Sequence, residues 1–266
     1  MPELAEVHFY RKQWSRGLKQ KILSIQIHAD KRIFRGTNVK LLVKALTGST
    51  FLESRAHGKQ MLFRFTKNAW LGLHLGMTGK LRNEEPSFTP SKHDHVVLRQ
   101  KTQSLIFSDP RLFGRVLFQS SKSEPEWWTK LPASLISRAF TFPNFKNFLQ
   151  RHRKAPIKAV LLLQSGFPGI GNWMADEILW QSKVHPRVSP EKIDERELKM
   201  LFDKTRFVSQ QALKIIGKDF SDPPNSWLFK NRWRKKGICP RCESILQHAT
   251  IGGRTTCWCP SCQSDG

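Results

Sequence analysis

The chain of 266 residues sets 45 Lys and Arg against 21 Asp and Glu, a formal net charge of +24 spread along its length. That excess excludes an acidic solvating protein and makes a polyanion the first partner to consider, nucleic acid ahead of an anionic membrane surface. No apolar run reaches transmembrane length, and Glu3, Glu6 and His8 interrupt the first apolar residues, so neither a membrane span nor a secretion signal is read.

The chain opens MPELAEV, and the apolar pattern predicts a helix to about Leu18. Pro2 suits a first helical turn, where its missing N–H costs nothing, and Glu3 and Glu6 complement the positive end of the helix dipole. A chemical reading stands beside this one. Removal of Met1, usual before so small a residue, leaves Pro2 as a secondary amine beside a carboxylate. An α-amino group has a reference pKa of about 8. Such an amine can attack an aldehyde-like carbon and form an iminium while Glu3 moves protons.

Two-residue alternation follows. KILSIQI places Leu23, Ile25 and Ile27 on one face, and WLGLHLGM alternates Leu71, Leu73, Leu75 and Met77 with smaller or polar residues. MLFRF, HVVL, SLIF and GRVLF continue the series, so a β-sandwich or barrel is expected to about Gln119. SSKSEPEWW reads as a linker. The period then changes to three and four in NFKNFLQ, IKAVLLLQ, NWMADEILWQ and ELKMLFDKTRFVSQQALKII, which predicts helices ending at the loop KDFSDPPNS. From about Trp227 the chain is basic and contains all five cysteines.

Cys239 and Cys242 form one C-x-x-C and Cys259 and Cys262 another, with IGGRTT expected as the turn between two strands. Paired knuckles at this spacing match a four-thiolate zinc ribbon and leave Cys257 as the odd thiol. Such clustering fits an intracellular protein with one metal site rather than a secreted disulfide framework. GFPGIGN precedes a helix whose N-terminal amides could bind an anion such as a DNA phosphate, although a tight interhelix turn explains the same glycines. In DPRLFG, Arg111 and Phe113 could enter a duplex with Met77 and fill the gap left by an extruded base, or could tuck into the sandwich. His93 in KHDHVVL and Arg254 at the hairpin tip fit phosphate contacts or ordinary surface positions. The nine Trp residues suit stacking on bases, but most read as core or interface residues, with Trp227 and Trp233 the two to mutate.

Taken in order, PELAEV, HGK, HLGMTGKL, KHDHVVL, DPRLFG, GIGNWMADEILW and the two C-x-x-C pairs resemble the formamidopyrimidine-DNA glycosylase family, also called the Fpg/MutM and Nei family. The resemblance implies an α+β multidomain protein: an N-terminal β-sandwich with its opening helix (1–120), a linker (121–135), a helix–two-turn–helix DNA-binding domain (136–226) and a C-terminal zinc finger of ribbon type (227–266). It implies removal of a damaged base followed by β,δ-elimination through a Pro2 Schiff base. In this carry-over Pro2 is the nucleophile, Glu3 the acid/base for sugar-ring opening, and Lys59 and Arg254 phosphate-gripping residues that assist catalysis. His93, Arg111, Arg153 and Asn172 match DNA-contacting positions, and Met77, Arg111 and Phe113 the residues that fill the duplex. Glu6 matches a glutamate near the lesion pocket, and Cys239, Cys242, Cys259 and Cys262 hold one structural Zn2+.

The implied partner is double-stranded DNA carrying a damaged base or an abasic site, met by a monomer in the cytoplasm. Two departures bear on substrate. KDFSDPPNSWLFKNRWRKKG is shorter than the glycine-containing loop of members that act on 8-oxoguanine, and Leu112 replaces a second arginine. Alternatives are an abasic-site lyase or damage-binding protein with an altered base pocket, and a non-catalytic zinc-containing nucleic-acid-binding module. Retention of Pro2, Glu3, Lys59 and Arg254 together favours catalysis.

Overall fold

In the structure, a computed structural model that describes residues 1–264, the opening helix α1 runs Leu4–Ser15. Pro2 therefore precedes the helix instead of occupying its first turn, and the helix stops short of Leu18 because the chain turns at Ser15–Gly17 and Lys19 takes a left-handed φ of 65°. The chain forms two units, residues 1–2 with 6–131 and residues 3–5 with those from 132 onward.

The first unit is a β-sandwich. Strands β1 (Ser24–Ile27), β2 (Phe51–His57), β3 (Gln60–Phe65), β4 (Ala69–His74), β5 (Lys80–Glu84), β6 (Asp94–Arg99), β7 (Ser104–Ser108) and β8 (Arg115–Ser120) build two antiparallel four-stranded sheets, ordered β1-β6-β7-β5 and β2-β3-β4-β8. Phe51, Phe63, Leu71 and Leu73 from one sheet and Val96, Leu98, Leu105 and Phe107 from the other share one core, capped by Val7 and Trp14 of α1 and by Leu42 and Leu46 of α2 (Val39–Leu46). Each such fully buried side chain contributes roughly 1.5–3 kcal/mol relative to exposure. Trp14 seats its indole N–H on the Ile106 carbonyl at 3.1 Å.

The period-two reading fails at one residue: Leu23 is exposed, and Ile22 fills the core in its place. Ile22 is backbone-bonded to Ser49, so the chain presents residue 22 inward before β1 begins. The other face of β4 is also covered. Helix α3 (Glu126–Thr129) falls inside the stretch 121–135, and Trp127 lies so close over Gly72 that a Cβ there would overlap its ring.

In the second unit helices α4 (Phe142–Arg151), α5 (Ile157–Leu161), α6 (Asn172–Ser182) and α7 (Glu195–Asp219) enclose a core that includes Phe145, Phe167, Met174, Ile178, Leu201 and Phe202. Leu4 and Ala5 belong to the same core. Helix α7 starts from a capping box in which Asp194 accepts from the Glu197 amide and Glu197 from the Asp194 amide. It ends at Phe220, whose φ of 68° breaks the helix. The hairpin β9 (Gln247–Ile251) and β10 (Arg254–Trp258) follows, beside a small core of Trp180, Leu228, Leu246, Cys239, Cys257 and Cys259.

Candidate functional site

Helix α6 is buried along most of its length, so its N-terminal amides need an internal partner. Gly171, its N-cap, has no capping side chain; Glu3 supplies the cap. The Glu3 carboxylate accepts from Gly171 N at 2.9 Å, Trp173 N at 3.0 Å and Met174 N at 3.1 Å, while Leu4 N donates to Gly169 O at 3.0 Å. A Cβ on Gly171 would occupy the space of the Glu3 carboxylate. The anion expected at the GFPGIGN turn is thus Glu3 itself rather than a phosphate, and Glu3 serves the dipole of α6 and not only that of α1. Gln164 steadies the turn, accepting from Gly169 N and donating to Ile170 O.

Beneath α6 lies a buried ionic chain that no sequence motif announces. The fully buried Lys158 donates to Asn172 O at 2.7 Å and pairs with Asp176, whose other oxygen pairs with Arg232. Burial pushes the pKa of Lys158 down, against the pull of Asp176. Asp176 also accepts from Cys257 N at 3.3 Å, and Asn172 donates its side-chain amide to Thr255 O at 2.7 Å. These bonds join the start of α6 to β10, which begins at the exposed Arg254, and Gly252 packs on Ala159. Glu3, Asn172 and Arg254 are therefore brought into one connected framework. Arg153 belongs elsewhere: it follows α4 and lines a cavity of about 580 Å³ with Lys146, Glu191 and Glu195.

In the sandwich unit the turn after β4 and the loop before β8 pack back to back. A Cβ on Gly76 would meet the backbone of Phe113 and Gly114, and one on Gly114 would stand 2.9 Å from His74 O. Asp109 joins the two loops. Its carboxylate accepts from Thr78 Oγ1 at 2.9 Å and from Gly114 N at 2.6 Å, its amide donates to His93 O at 3.0 Å, and its carbonyl accepts from His95 Nε2 at 3.1 Å.

Met77, half-buried, therefore shares a ridge with the exposed Arg111 and Phe113, and Leu112 between them takes a left-handed φ of 58°. The Phe113 ring lies 5.0 Å from the guanidinium carbons of both Arg111 and Arg32. Lys59 sits in the turn between β2 and β3, close enough to His74 that its charge, after burial, is the next cause holding that imidazole down at about 4. His74 Nδ1 accepts from Gly76 N at 3.0 Å, which leaves the ring proton on Nε2. His93 is half-buried in the turn just before β6. Glu6 lies on α1, where its charge adds to burial in raising the pKa of Tyr10.

The thiols of Cys239, Cys242, Cys259 and Cys262 lie within 4.8 Å of one another. Sulfurs arranged tetrahedrally at about 2.3 Å from zinc stand roughly 3.8 Å apart; here Cys239–Cys262 is 3.9 Å and Cys242–Cys259 3.4 Å. Trp180 Nε1 donates to Cys239 Sγ at 3.3 Å, an outer-shell bond of the kind that orients a ligand. The four residues fit one metal ion. Cys257 is outside the set, and burial pushes its thiol up to about 12.

Asp109, His74, His95, Lys158, Asp176 and Arg232 are positioning groups that the motifs alone did not single out. His74 in HLGMTGKL, His95 in KHDHVVL, Asp109 in DPRLFG and Asp176 in GIGNWMADEILW stand inside the motifs, whereas Lys158 and Arg232 carried no local signal.

The profile described as the formamidopyrimidine-DNA glycosylase N-terminal domain matches residues 1–116, and the one described as the formamidopyrimidine-DNA glycosylase H2TH domain matches residues 132–222. The chain is 32% identical to the formamidopyrimidine-DNA glycosylase of Ligilactobacillus salivarius, covering 99% of each chain. Against that of Thermus thermophilus it is 30% identical over the full length of both. A solved complex of the wild-type Lactococcus lactis Fpg (MutM) with DNA containing an oxidized pyrimidine superimposes with a TM-score of 0.90 at 29% identity, over 99% of this chain and 100% of that one. The chain belongs to the formamidopyrimidine-DNA glycosylase family.

Proposed function

We propose that the protein is a base-excision repair glycosylase that acts on damaged bases and abasic sites in double-stranded DNA, with Pro2 as its nucleophile. The observation that carries the catalytic assignment is the Glu3 carboxylate, adjacent in sequence to Pro2 and fixed by three amides at the start of α6. After loss of Met1 the Pro2 nitrogen attacks C1′, the glycosidic bond breaks, and the base leaves with a proton. Glu3 moves a proton to O4′ as the sugar opens, and the Pro2 nitrogen becomes an iminium. The iminium acidifies C2′–H; its loss expels the 3′-phosphate, and a second elimination expels the 5′-phosphate.

Lys59, Arg254 and Asn172 meet phosphates, His93, Arg111 and Arg153 make further DNA contacts, Met77, Arg111 and Phe113 fill the duplex, and Glu6 borders the lesion pocket. The four-thiolate site takes zinc, which folds the finger and leaves the reaction to side chains. The protein acts as a monomer on nucleoid DNA, and no helix among the described residues is long and apolar enough to cross a membrane.

Borohydride trapping on duplexes carrying an abasic site, 8-oxoguanine, a formamidopyrimidine or an oxidised pyrimidine tests this, with intact mass to confirm loss of Met1. Adducts on a damaged base, abolished by Pro2→Gly, are expected. Trapping unchanged in Pro2→Gly sinks the nucleophile, and trapping only at the abasic site leaves a lyase.

A further inference from the structure

The ridge of the sandwich unit holds one contact that its own segment does not account for. Arg111 stands two residues from Phe113, so its place beside the ring is local. Arg32 comes from a distant segment, yet its guanidinium carbon lies equally close, 5.0 Å from the ring centroid. Leu112 packs against the sandwich core, so DPRLFG supplies a single cation to the ring and Arg32 is the second. Arg32 opens a one-turn 3-10 helix, Arg32–Phe34, whose Ile33 and Phe34 are buried in that core. Just beyond it Thr37 Oγ1 donates to the carbonyl of Val116, in the strand that follows the ridge, at 2.7 Å. The backbone under Arg32 is therefore fixed to the chain that carries Phe113.

Phe113 is 40% exposed, and an exposed side chain with nothing beside it turns among its rotamers. A group that is competent to bind for only part of the time lowers the apparent affinity by that fraction. Two guanidinium groups on one ring restrict the orientations it can take. The arrangement is unfavourable in the free protein. The two guanidinium carbons lie within about 10 Å of each other, no more than a Debye length at 0.1 M salt, and neither arginine makes an ion pair among the described residues. A polyanion arriving at the ridge relieves that repulsion, whereas an apolar partner would have to bury the charges unpaired. We propose that Arg32 is a positioning residue for the wedge: it holds the Phe113 ring in the orientation that enters an opened base step, and it stays beside the ring there. The inference rests on the glycosylase reading above, with Phe113 as the wedge.

The test is the ratio of affinities of the full-length, metal-loaded protein for two end-labelled duplexes, measured by fluorescence anisotropy. One duplex is undamaged, and the other carries a tetrahydrofuran abasic analogue. A phosphate contact common to both cancels in the ratio, whereas filling the gap does not. Arg32→Met, which keeps an unbranched chain and removes the cation, is expected to lower the preference for the abasic duplex by about 2- to 5-fold, the worth of one exposed cation–π contact. Arg32→Lys keeps a cation and most of the preference. Phe113→Ala loses more of it, and in that background Arg32→Met is expected to have no further effect, because a residue that acts through the ring is silent without it. 2-Aminopurine placed opposite the analogue follows wedge entry directly, and its fluorescence change is expected to slow in Arg32→Met. An equal loss on both duplexes, the same loss of preference with and without Phe113, or Lys performing no better than Met each overturn the assignment. An unchanged preference in Phe113→Ala removes the wedge and the role of Arg32 with it, whereas a loss there without one in Arg32→Met removes Arg32 alone. Borohydride trapping of wild-type protein on an abasic duplex is run alongside; its failure removes the covalent chemistry and leaves the affinity ratios to decide on Arg32.

Discussion

At the scale of single residues, the contact between Glu3 and Gly171 decides most. Three amides hold one carboxylate, and the space it needs exists only because residue 171 has no side chain. Gly171→Ala forces its methyl group into that carboxylate, so either α6 or Glu3 must move. Overpacking of this kind costs about 1–3 kcal/mol, measurable as a shift of the denaturant midpoint, and displaces the group proposed to assist ring opening. Removing the Glu3 side chain as well, in Glu3→Ala/Gly171→Ala, clears the overlap. The double variant is then expected to be more stable than additivity of the two single variants gives, while its cleavage of abasic DNA stays lost. Strict additivity of the two stability effects means that the residues do not press on one another and rejects the argument.

At the scale of elements, the β9–β10 hairpin is the weakest part of the second unit by its own means. A two-stranded ribbon is marginal in water, and its core consists of Trp180, Leu228 and Leu246 with the cysteines. Metal binding has to supply the rest. Cys239→Ser is expected to empty the site, to erase hydrogen-exchange protection across β10 while that of α7 persists, and to weaken DNA binding through Arg254. Full metal content in this variant refutes the ligand set.

The elements differ in how readable they were. The cysteines and the hairpin turn stood out because their chemistry depends on local spacing. The strands were legible through alternation except at Leu23, where a backbone bond to Ser49 turns Ile22 inward instead. The cap on α6 was invisible for a different reason: its donor atoms and its carboxylate lie more than 160 residues apart, and Glu3 looks the same whether it serves α1 or α6. The chain from Lys158 through Asp176 to Arg232 was hidden likewise, since each partner comes from a different segment.

For the whole molecule, the charge of +24 sets a requirement on binding. Ion pairs leave that net charge unchanged: Lys158 and Arg232 both share Asp176, and most other pairs are exposed and weak. Arg111, Arg153, Arg254 and the run Arg234–Lys236 make no ion pair among the described residues, so they remain available to phosphates. Each phosphate neutralised releases counterions, and log K falls against log salt with a slope of about −0.9 per contact. Six to ten contacts predict a loss of roughly 10³- to 10⁵-fold in affinity for undamaged duplex between 50 and 200 mM salt. Charge reversal at one contributing residue, such as Arg254→Glu, is expected to reduce the slope by at least about one unit as well as weaken binding. The same titration on a tetrahydrofuran abasic analogue separates the two layers of recognition, because insertion of the apolar wedge releases no counterions. That duplex is expected to bind more tightly at every salt with nearly the same slope. A steeper slope on the abasic analogue means that extrusion recruits further phosphates, and a flat slope on both rejects an electrostatic surface as the basis of binding.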